Sequence, residues 1–504
     1  MEQKTNPEFR QSGILVHPTS FPGPYGIGDL GKGAYDFIDF LQAGGQTLWQ
    51  CLPLGPTGFG DSPYQSFSAF AGQPLIISPE KLMDLELLTE EDAACHPEWN
   101  DEAVDYGPLI QYKTALFKKA YENFRHTPII LLLDEFRTFC EKNSGWLMDY
   151  ALFMALKDAN EGRAWTEWDD AWKFPTPAIK AAAHKELKDS VDYYCFLQYI
   201  FFKQWDELKN YAHKKGVRII GDIPIFVSPD SADVWAHKEL FYLDKDGFPT
   251  VVAGVPPDYF SATGQLWGNP LYRWDYHKRM HYGWWMRRIA HCFKLFDIVR
   301  IDHFRGFDEY YSIPYGDETA QNGHWEKGPG MDLFHTMKEE LGERNIIAED
   351  LGFLTETVYK LLRDSGYPGM KVLQFAFDTS ENSDYLTYKY DRNCVVYTGT
   401  HDNDTTVGWY EHMTDWDRDV ALRYMNSFHT PKEEQHWDLI SLAMRSVADT
   451  CIIPVQDYLG LGSEARINTP STLGDNWKWR MSKNAFSDEL KGRIWHMTKL
   501  YGRL

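Results

Sequence analysis

Eight short hydrophobic segments, each ending near a polar residue, most strongly constrain what this chain can fold into. They begin near residues 13, 47, 217, 298, 345, 370, 394 and 452. Most follow an amphipathic helix, commonly across a glycine that can adopt the left-handed conformation of a helix C-cap. The stretch from Val191 to Asp222 has this order, with a helix, Gly216 and a β-branched run. Eight alternating units predict an α/β protein built on a TIM-type (β/α)8 barrel.

The distances between these segments predict where the barrel is interrupted. Residues 60–215, between the second and third strands, are too many for one loop and carry helical patterns at 109–124 and 146–157, which predicts a mainly helical insertion. Residues 241–282, after the third strand, are predicted to be an inserted active-site loop. The chain after Asp457 ends in a predicted helix at 487–499, which leaves no room for a C-terminal β-sandwich domain. Residues 1–504 are therefore predicted to form one catalytic barrel unit.

The charge balance and the cysteines limit the possible partners and location. The net charge of −22 argues against nucleic acid or an anionic membrane as a partner and fits a neutral substrate. The first residues are polar, and the longest aliphatic run, 129–133, is too short to span a bilayer. No two of the seven cysteines are close enough for a Cys-x-x-Cys unit, so they are interpreted as reduced thiols. These features predict a cytoplasmic protein.

Two motifs suggest a cofactor or a metal but lack the expected context. The glycines Gly26, Gly28 and Gly31 have the dinucleotide-binding spacing, yet they do not directly follow a strand and no acidic residue lies at the required distance beyond them. The run from Asp244 to Gly247 resembles the start of a calcium loop without its later ligands and is better explained as a turn. No cofactor and no metal are predicted.

The fourth strand segment ends in groups that can carry chemistry. Its β-branched run, 298–301, leads to Asp302 and His303. Because Arg300 and Asp302 are two residues apart on a strand, their side chains point the same way, and the guanidinium is expected to keep the carboxylate ionised. From these residues alone, an ordinary Arg–Asp pair at a strand end remains an equal alternative.

Carboxylates also follow other predicted strands. Asp222, Asp302, Glu349 and Asp402 end the third, fourth, fifth and seventh units, and the carboxyl ends of barrel strands share one face, so these groups should converge. Such a set suits retaining glycoside chemistry, in which one carboxylate attacks the anomeric carbon and another acid protonates the leaving oxygen. Crowding by like charges and desolvation are expected to raise the pKa of Glu349. The 19 Trp and 29 Tyr include rings that could stack on sugars, although most are expected in the core.

Longer motifs strengthen this interpretation. These motifs are Gly13-Ile-Leu-Val-His-Pro-Thr-Ser, Pro53-Leu-Gly-Pro-Thr, Asp61-Ser-Pro-Tyr-Gln, Gly221-Asp-Ile-Pro-Ile-Phe-Val, Trp267-Gly-Asn-Pro, Arg300-Ile-Asp-His-Phe-Arg-Gly, Ala348-Glu-Asp-Leu-Gly and Thr400-His-Asp-Asn. In these motifs, from about Ser12 to Asn484, the chain resembles the 4-α-glucanotransferases called amylomaltases or disproportionating enzymes, which are relatives of the α-amylases.

The resemblance implies roles for individual residues. Asp302 would be the nucleophile, Glu349 the acid/base, and Asp402 a third carboxylate that grips sugar hydroxyls and distorts the ring. The segment 250–270, expected to be a loop without regular structure, would fold over the glucan and exclude water. The implied substrate-binding residues are Tyr64, Asp222, Asp258, Phe260, Gln265, Trp267, Asn269, Arg300, His303, His401 and Asn468.

The resemblance further implies that a donor maltodextrin passes an α-1,4-glucan segment, through a covalent bond to Asp302, to the 4-hydroxyl of glucose or another maltodextrin. An α-glucan hydrolase would share these residues and differ in using water as the acceptor. A non-catalytic glucan-binding barrel is the alternative from another class, and it predicts a lost nucleophile or acid, whereas Asp302 and Glu349 are both present. The sequence leaves the oligomeric state and the preferred chain lengths open.

Overall fold

The computed structural model describes residues 10–94, 96, 98–257, 261–352, 354–378, 383–472 and 474–504. Its centre is an eight-stranded parallel sheet, and each of the eight predicted segments supplies one strand. In chain order, the first to eighth barrel strands are Gln11–Leu15, Leu48–Gln50, Arg218–Pro224, Ile298–Asp302, Ile346–Ala348, Gly369–Val372, Cys394–Tyr397 and Thr450–Pro454. The predicted (β/α)8 fold class is confirmed.

Backbone pairing runs around the sheet and closes it. The spatial order begins with the sixth, seventh and eighth strands and continues from the first strand to the fifth. The fifth strand then meets the sixth, since the Ala348 N–H donates to the Pro368 carbonyl at 2.9 Å. One buried hydrophobic cluster includes a residue from every strand, and its strand members are Leu15, Leu48, Ile220, Ile298, Ile347, Met370, Val372, Val395, Tyr397 and Ile452. The barrel interior is therefore a packed core.

Amphipathic helices cover the outside of the barrel. In Lys32–Ala43 the buried positions 34, 37, 38 and 41 recur every three or four residues, which places them on one face. The helices outside the insertion are Lys32–Ala43, Ala232–Ala236, Trp274–Arg279, Gly283–Leu295, Met331–Leu341, Glu356–Ser365, Thr406–His412, Asp415–Met425, Gln435–Arg445, Val455–Leu459 and Asp488–Leu500. In the part of the chain that the structure describes, no helix combines the length and the apolar character needed to cross a bilayer.

The chain between the second and third strands is mostly helical. Its helices are Pro79–Asp84, Glu90–Ala94, Tyr106–Arg125, Ile130–Ala159, Asp170–Lys173, Pro177–Glu186 and Lys188–Lys214. Aromatic rings join the long ones: Phe124 lies 4.9 Å from Phe196, and Phe139 lies 5.6 Å from Phe202, between ring centroids. The bounds 60–215 for this insertion stay a prediction.

The expectation that residues 250–270 lack regular structure is wrong. They form two strands of a second, antiparallel sheet, hereafter the small sheet, whose strands are Val251–Val255, Gln265–Pro270, Glu309–Pro314 and His324–Lys327. Val251–Val255 pairs with Glu309–Pro314, which follows the fourth barrel strand. Gly264 and Gly268 adopt φ values of 68° and 79°, which a glycine reaches without strain. The glycines and prolines therefore shape a bulged hairpin. The strand that pairs with this hairpin, Glu309–Pro314, lies far away in sequence.

A buried arginine lies at the end of the barrel where the strands begin. All three guanidinium nitrogens of Arg503 donate to backbone carbonyls, those of Gln11, Met444 and Ala448, each at 2.9 Å. Arg503 has no exposed surface. The last residues of the chain are thereby joined to the start of the first strand and to the turn before the eighth.

Candidate active site

The predicted carboxylates lie at the carboxyl ends of the barrel strands. Asp222 belongs to the third strand, Asp302 is the last residue of the fourth, Glu349 directly follows the fifth, and Asp402 lies in the loop after the seventh. Asp402 is close enough to Asp302 for its charge to raise the pKa of Asp302, and Asp302 is close enough to Glu349 to raise the pKa of Glu349. The fold thus brings these groups to one face, as expected for a barrel of parallel strands.

Arg300 connects two of the carboxylates in the barrel mouth. Its guanidinium donates to Asp222 at 2.6 Å and to Asp302 at 3.1 Å. The Tyr64 hydroxyl donates to the same Asp222 oxygen at 2.8 Å. The second Asp222 oxygen is buried and has no hydrogen-bond partner among the residues that the structure describes. Arg300 and Asp222 are almost completely buried, so the charges interact through a medium that screens them weakly.

The sequence predicted that Arg300 keeps Asp302 ionised near neutral pH, and Arg300 does lower the pKa of this carboxyl group, against larger opposing influences. Desolvation in the barrel mouth raises the pKa of Asp302 to about 6, Arg300 lowers it, and Asp222 and Asp402 raise it further. Arg300 is shared, and its shorter bond goes to Asp222. Loss of hydration together with two like charges therefore outweighs one shared cation.

Glu349 has an environment suited to an acid. Desolvation and the neighbouring charge of Asp302 raise its pKa to about 7, as the sequence predicted, while Arg300 and two backbone N–H groups act in the opposite direction. Those N–H groups belong to His303, at 2.7 Å, and Leu351, at 2.8 Å, and each donates to a different oxygen of Glu349. The carboxyl group is thereby fixed in orientation while it keeps a proton near neutral pH.

Asp402 is held by the segment that follows the eighth strand. The Asn468 amide donates to its carboxylate at 2.6 Å, and the Arg466 guanidinium donates to its backbone carbonyl at 2.6 Å. The His401 ring nitrogen Nε2 lies 3.3 Å from the same carboxylate oxygen. About half of the Asp402 side chain is exposed, so its other oxygen can face an incoming ligand.

Rings line one side of the mouth. The Tyr64 and His401 rings stack with centroids 5.1 Å apart and planes 15° apart. Trp477 lies 6.0 Å from both rings. Flat faces beside Asp222 and Asp402 form a wall on which an apolar sugar face could rest.

The small sheet brings a second group of predicted residues to the site. The Trp267 ring packs edge-on against His303, with centroids 4.8 Å apart. Burial lowers the pKa of His303 to about 3, so this imidazole is neutral. The Gln265 side chain accepts a hydrogen bond from the Trp267 indole at 3.1 Å, and the buried Asn269 amide donates to the Val227 carbonyl at 2.9 Å. Trp267 is thus fixed beside the fourth strand.

Two predicted residues lie outside the described residues, namely Asp258 and Phe260. For Asn269 and Asn468 the structure shows an amide nitrogen engaged with a protein group, which the sequence did not indicate. Their predicted contacts with substrate stay predictions.

Sequence reasoning missed three residues that shape the site. Trp477 has a left-handed backbone with φ of 66°, a feature that no periodic pattern reports. Arg466 lies two residues before Asn468, and its positive charge close to a predicted binding residue could have indicated a role in the site. Asp457 follows the eighth strand segment, and its hydrogen bonds go to the loop that carries Asp402, which its place in the sequence does not indicate.

Comparisons with known proteins identify similar chains. A family model described as 4-alpha-glucanotransferase matches residues 16–485. The chain is similar to the 4-alpha-glucanotransferase of Clostridium butyricum, with 47% identity over 97% of this chain and 100% of the relative. It is equally similar to that of Thermus thermophilus, with 47% identity over 98% of this chain and 99% of the relative.

Two solved structures share the fold. The amylomaltase from Streptococcus agalactiae, in complex with acarbose, is 42% identical and superposes with a TM-score of 0.94 over 98% of this chain and 99% of that one. The amylomaltase from Corynebacterium glutamicum has a TM-score of 0.79 over 98% of this chain and 75% of that one, and at 17% identity it supports the fold alone.

Proposed function

Because the chain belongs to the 4-alpha-glucanotransferase family, we propose that it moves α-1,4-glucan segments from a donor maltodextrin to the 4-hydroxyl of glucose or of another maltodextrin. The observation that carries this proposal is the set of three carboxylates at one barrel face, with Asp302 bonded to Arg300 and Glu349 oriented by two N–H groups. A nucleophile and an acid with different environments are what retaining transfer requires.

In the first step, an oxygen of the Asp302 carboxylate attacks the anomeric carbon of the donor. The bond from that carbon to the leaving 4-oxygen breaks, and Glu349 gives its proton to this oxygen, so the shortened glucan leaves as an alcohol. The product on the protein is a glycosyl ester of Asp302, with inverted configuration at the anomeric carbon.

In the second step, the 4-hydroxyl of the acceptor attacks the same carbon. Glu349, now ionised, takes the hydroxyl proton, and the bond to Asp302 breaks to restore its carboxylate. The second inversion gives net retention of the α configuration. Water in place of the acceptor would give hydrolysis, so the outcome depends on which hydroxyl group is held near the ester.

The ionisation of the two groups supports this division of roles. With pKa values raised to about 6 for Asp302 and about 7 for Glu349, the proton shared by the pair resides mainly on Glu349 between these values. Asp302 is then available to attack, and Glu349 is able to protonate. The shared guanidinium of Arg300 compensates the charge of Asp302 until the ester forms.

The remaining residues are proposed to bind the sugar. Asp402 is assigned to the hydroxyls of the reacting glucose, and Tyr64 and His401 to one of its faces. The buried Asp222 oxygen that has no partner among the described residues is a further acceptor near the mouth. Trp267 on the small sheet is proposed to cover the glucan, within the inserted segment 241–282.

The cellular setting is proposed on chemical grounds. The six cysteines that the structure describes are unpaired thiols, which suits the cytoplasm. Maltodextrin exchange would place the protein in carbohydrate metabolism, and the two steps above need no cofactor and no metal.

Incubation of the purified protein with maltotriose alone tests the proposal. We expect glucose together with a ladder of longer maltodextrins, separated by chromatography, because one molecule serves as donor and another as acceptor. A hydrolase would yield only maltose and glucose, and a binding protein would leave maltotriose unchanged. Asp302→Asn is the control, and it should form no ladder.

A further inference from the structure

One buried carboxylate ties together the two ends of the segment 398–406, which carries His401 and Asp402. It belongs to Asp457, in the short helix Val455–Leu459 directly after the eighth strand. One of its oxygens accepts from the Thr398 hydroxyl at 2.5 Å, and the other accepts from the Thr406 N–H at 2.7 Å. Thr398 follows the seventh barrel strand, and Thr406 begins the helix Thr406–His412.

The surroundings of Asp457 concentrate its interactions on this segment. The residue is 1% exposed, and no lysine, arginine or histidine forms an ion pair with it in the described part of the chain. Burial raises its pKa, the bonds from Thr398 and Thr406 lower it, and the nearby Asp404 raises it further. Both hydrogen-bond donors that satisfy this carboxylate therefore come from the ends of the segment that it joins.

Other bonds fix the interior of the segment. The Asn403 side chain accepts from the Thr400 N–H and from the Thr400 hydroxyl, both at 2.9 Å. Asp404 accepts from the Ser463 hydroxyl at 2.7 Å, which adds a second tie to the chain after the eighth strand. Asn468 and Arg466 hold Asp402 itself from the side of the eighth strand. Gln374, after the sixth strand, joins Thr398 to Asp404: its N–H donates to the Thr398 carbonyl at 3.2 Å, and its side chain donates to the Asp404 carbonyl at 2.8 Å. Asp457 joins Thr398 to Thr406, the two ends of the segment.

We propose that Asp457 is a positioning residue for Asp402, which it places by fixing the distance between the seventh strand and the helix that follows. This inference rests on the proposed role of Asp402 in gripping the sugar during the reaction. A shift of roughly 1 Å in a group that orients the substrate can cost about a hundredfold in rate. The alternative is that Asp457 only stabilises the fold. The two explanations predict different losses of activity when substitutions of Asp457 and Asp402 are combined.

The primary experiment compares Asp457→Ala and Asp457→Asn by the kcat/KM for maltotriose disproportionation, per mole of folded protein. We expect a loss of about 30-fold for Asp457→Ala. Asn keeps an oxygen for the Thr406 N–H, and its amide can donate to the Thr398 hydroxyl oxygen, so it should recover activity to within about threefold of the parent. Circular dichroism and thermal unfolding establish that each variant is folded.

Asp29→Ala is the matched control. Asp29 is also buried and accepts from a backbone N–H, that of Gly31 at 2.8 Å, but it lies between the first and second strands. Its loss should lower the unfolding temperature and leave kcat/KM within about twofold of the parent. An equal loss of activity in Asp29→Ala and Asp457→Ala would show a general effect of removing a buried carboxylate, and would overturn the proposal.

A double-mutant cycle supplies a readout that a purely structural role does not change. In the background of Asp402→Ala, the further change Asp457→Ala should cost less than about twofold, since the group that it positions is already absent. If the two losses multiply instead, Asp457 acts independently of Asp402 and the inference is wrong.

Thr398→Val and Thr398→Ser decide the matter if Asp457→Ala does not fold. Thr398 is fully buried, and valine keeps its shape while it removes the donated hydrogen bond. We expect a loss of about fivefold for valine and parental activity for serine. Equal activity in both variants would overturn the inference. A parent protein that makes no maltodextrin ladder would overturn the proposed function itself, whereas an active parent with an equally active Asp457→Ala overturns this inference alone.

Discussion

Each end of the barrel is built around a buried arginine, and the two differ in their partners. At the end where strands begin, Arg503 donates only to neutral carbonyls, and burial lowers its pKa. At the opposite end, burial also opposes the charge of Arg300, but Asp222 and Asp302 together raise its pKa well above the usual value. The first arginine has every nitrogen satisfied, whereas the second leaves one Asp222 oxygen without a partner in the described part of the chain.

This difference separates stability from function. A guanidinium that caps neutral carbonyls completes the hydrogen bonding of a closed structure. At the other end, burial and neighbouring like charges raise the pKa values of Asp302 and Glu349 although Arg300 lowers both, so the protons of these two groups can move near neutral pH. Changes at the two ends should therefore have separable effects on activity and on unfolding.

The largest expected effect is that of Asp302→Asn. Removal of the proposed nucleophile should lower kcat for maltotriose by about 10⁴-fold, because only binding and orientation would remain. The unfolding temperature at pH 8 should not fall. Folding raises the pKa of Asp302, so its ionised form destabilises the folded protein at this pH, and asparagine removes that charge. Trapping with a fluorinated α-glucosyl donor, followed by peptide mass spectrometry, should place the sugar on Asp302. A label on Glu349 or Asp402 would contradict the assignment.

Glu349→Gln should produce a loss that depends on the leaving group. With maltotriose the rate should fall by about 10³-fold, since the departing 4-oxygen needs a proton. With a donor that has an activated leaving group, such as α-glucosyl fluoride, the loss in the rate of the first step should be at least about tenfold smaller than with maltotriose. The formation rates of the glycosyl ester from both donors provide the measurement. Losses of equal size on the two donors would exclude an acid role.

Arg503→Met should lower the stability of the fold and leave activity unchanged, in contrast to Asp302→Asn and Glu349→Gln. It leaves buried carbonyls of Gln11, Met444 and Ala448 without donors, which should destabilise the fold by about 3 kcal/mol. The midpoint of thermal unfolding should drop by roughly 3 °C. At a temperature where the variant is folded, its kcat and KM should match those of the parent. A large loss of kcat there would remove the distinction between the two ends of the barrel.

The pH dependence of kcat/KM tests the charged end alone. Asp302 must be ionised, and with its pKa raised to about 6 the activity is lost as the pH falls through that value. Glu349 must be protonated, and with its pKa raised to about 7 the activity is lost as the pH rises through that value. We therefore expect a narrow bell with roughly tenfold changes per pH unit on its outer limbs. In Glu349→Gln the alkaline limb should disappear, and Arg503→Met should keep the parental profile.

Much of this architecture could be predicted from the sequence because local sequence patterns indicate its elements. Each barrel strand is a short hydrophobic run, and the carboxylates follow such runs directly, so their convergence required only the rule that parallel strands share a face. The small sheet could not be predicted in this way, since Val251–Val255 pairs with a strand that follows the fourth barrel strand. The raised pKa of Asp302 depends on burial and on charges from the third strand and from the loop after the seventh strand, which spacing along one strand does not reveal.

The smallest expected effect concerns Trp267, which joins the small sheet to the charged end of the barrel. Its ring lies against His303, whose N–H donates to Glu349, and we propose that it excludes water from the glycosyl ester. Trp267→Ala should lower disproportionation of maltotriose by about threefold to tenfold and raise the fraction of donor lost to water, because the acceptor loses a stacking surface while the carboxylates remain. Leu266→Ala is the matched control, since the neighbouring residue of the same strand points to the opposite face and is 39% exposed. Glucose release and ladder formation, measured in the same reaction, give the ratio of transfer to hydrolysis. If Trp267→Ala keeps the parental ratio, as Leu266→Ala should, the small sheet only covers the barrel mouth and the acceptor is selected elsewhere.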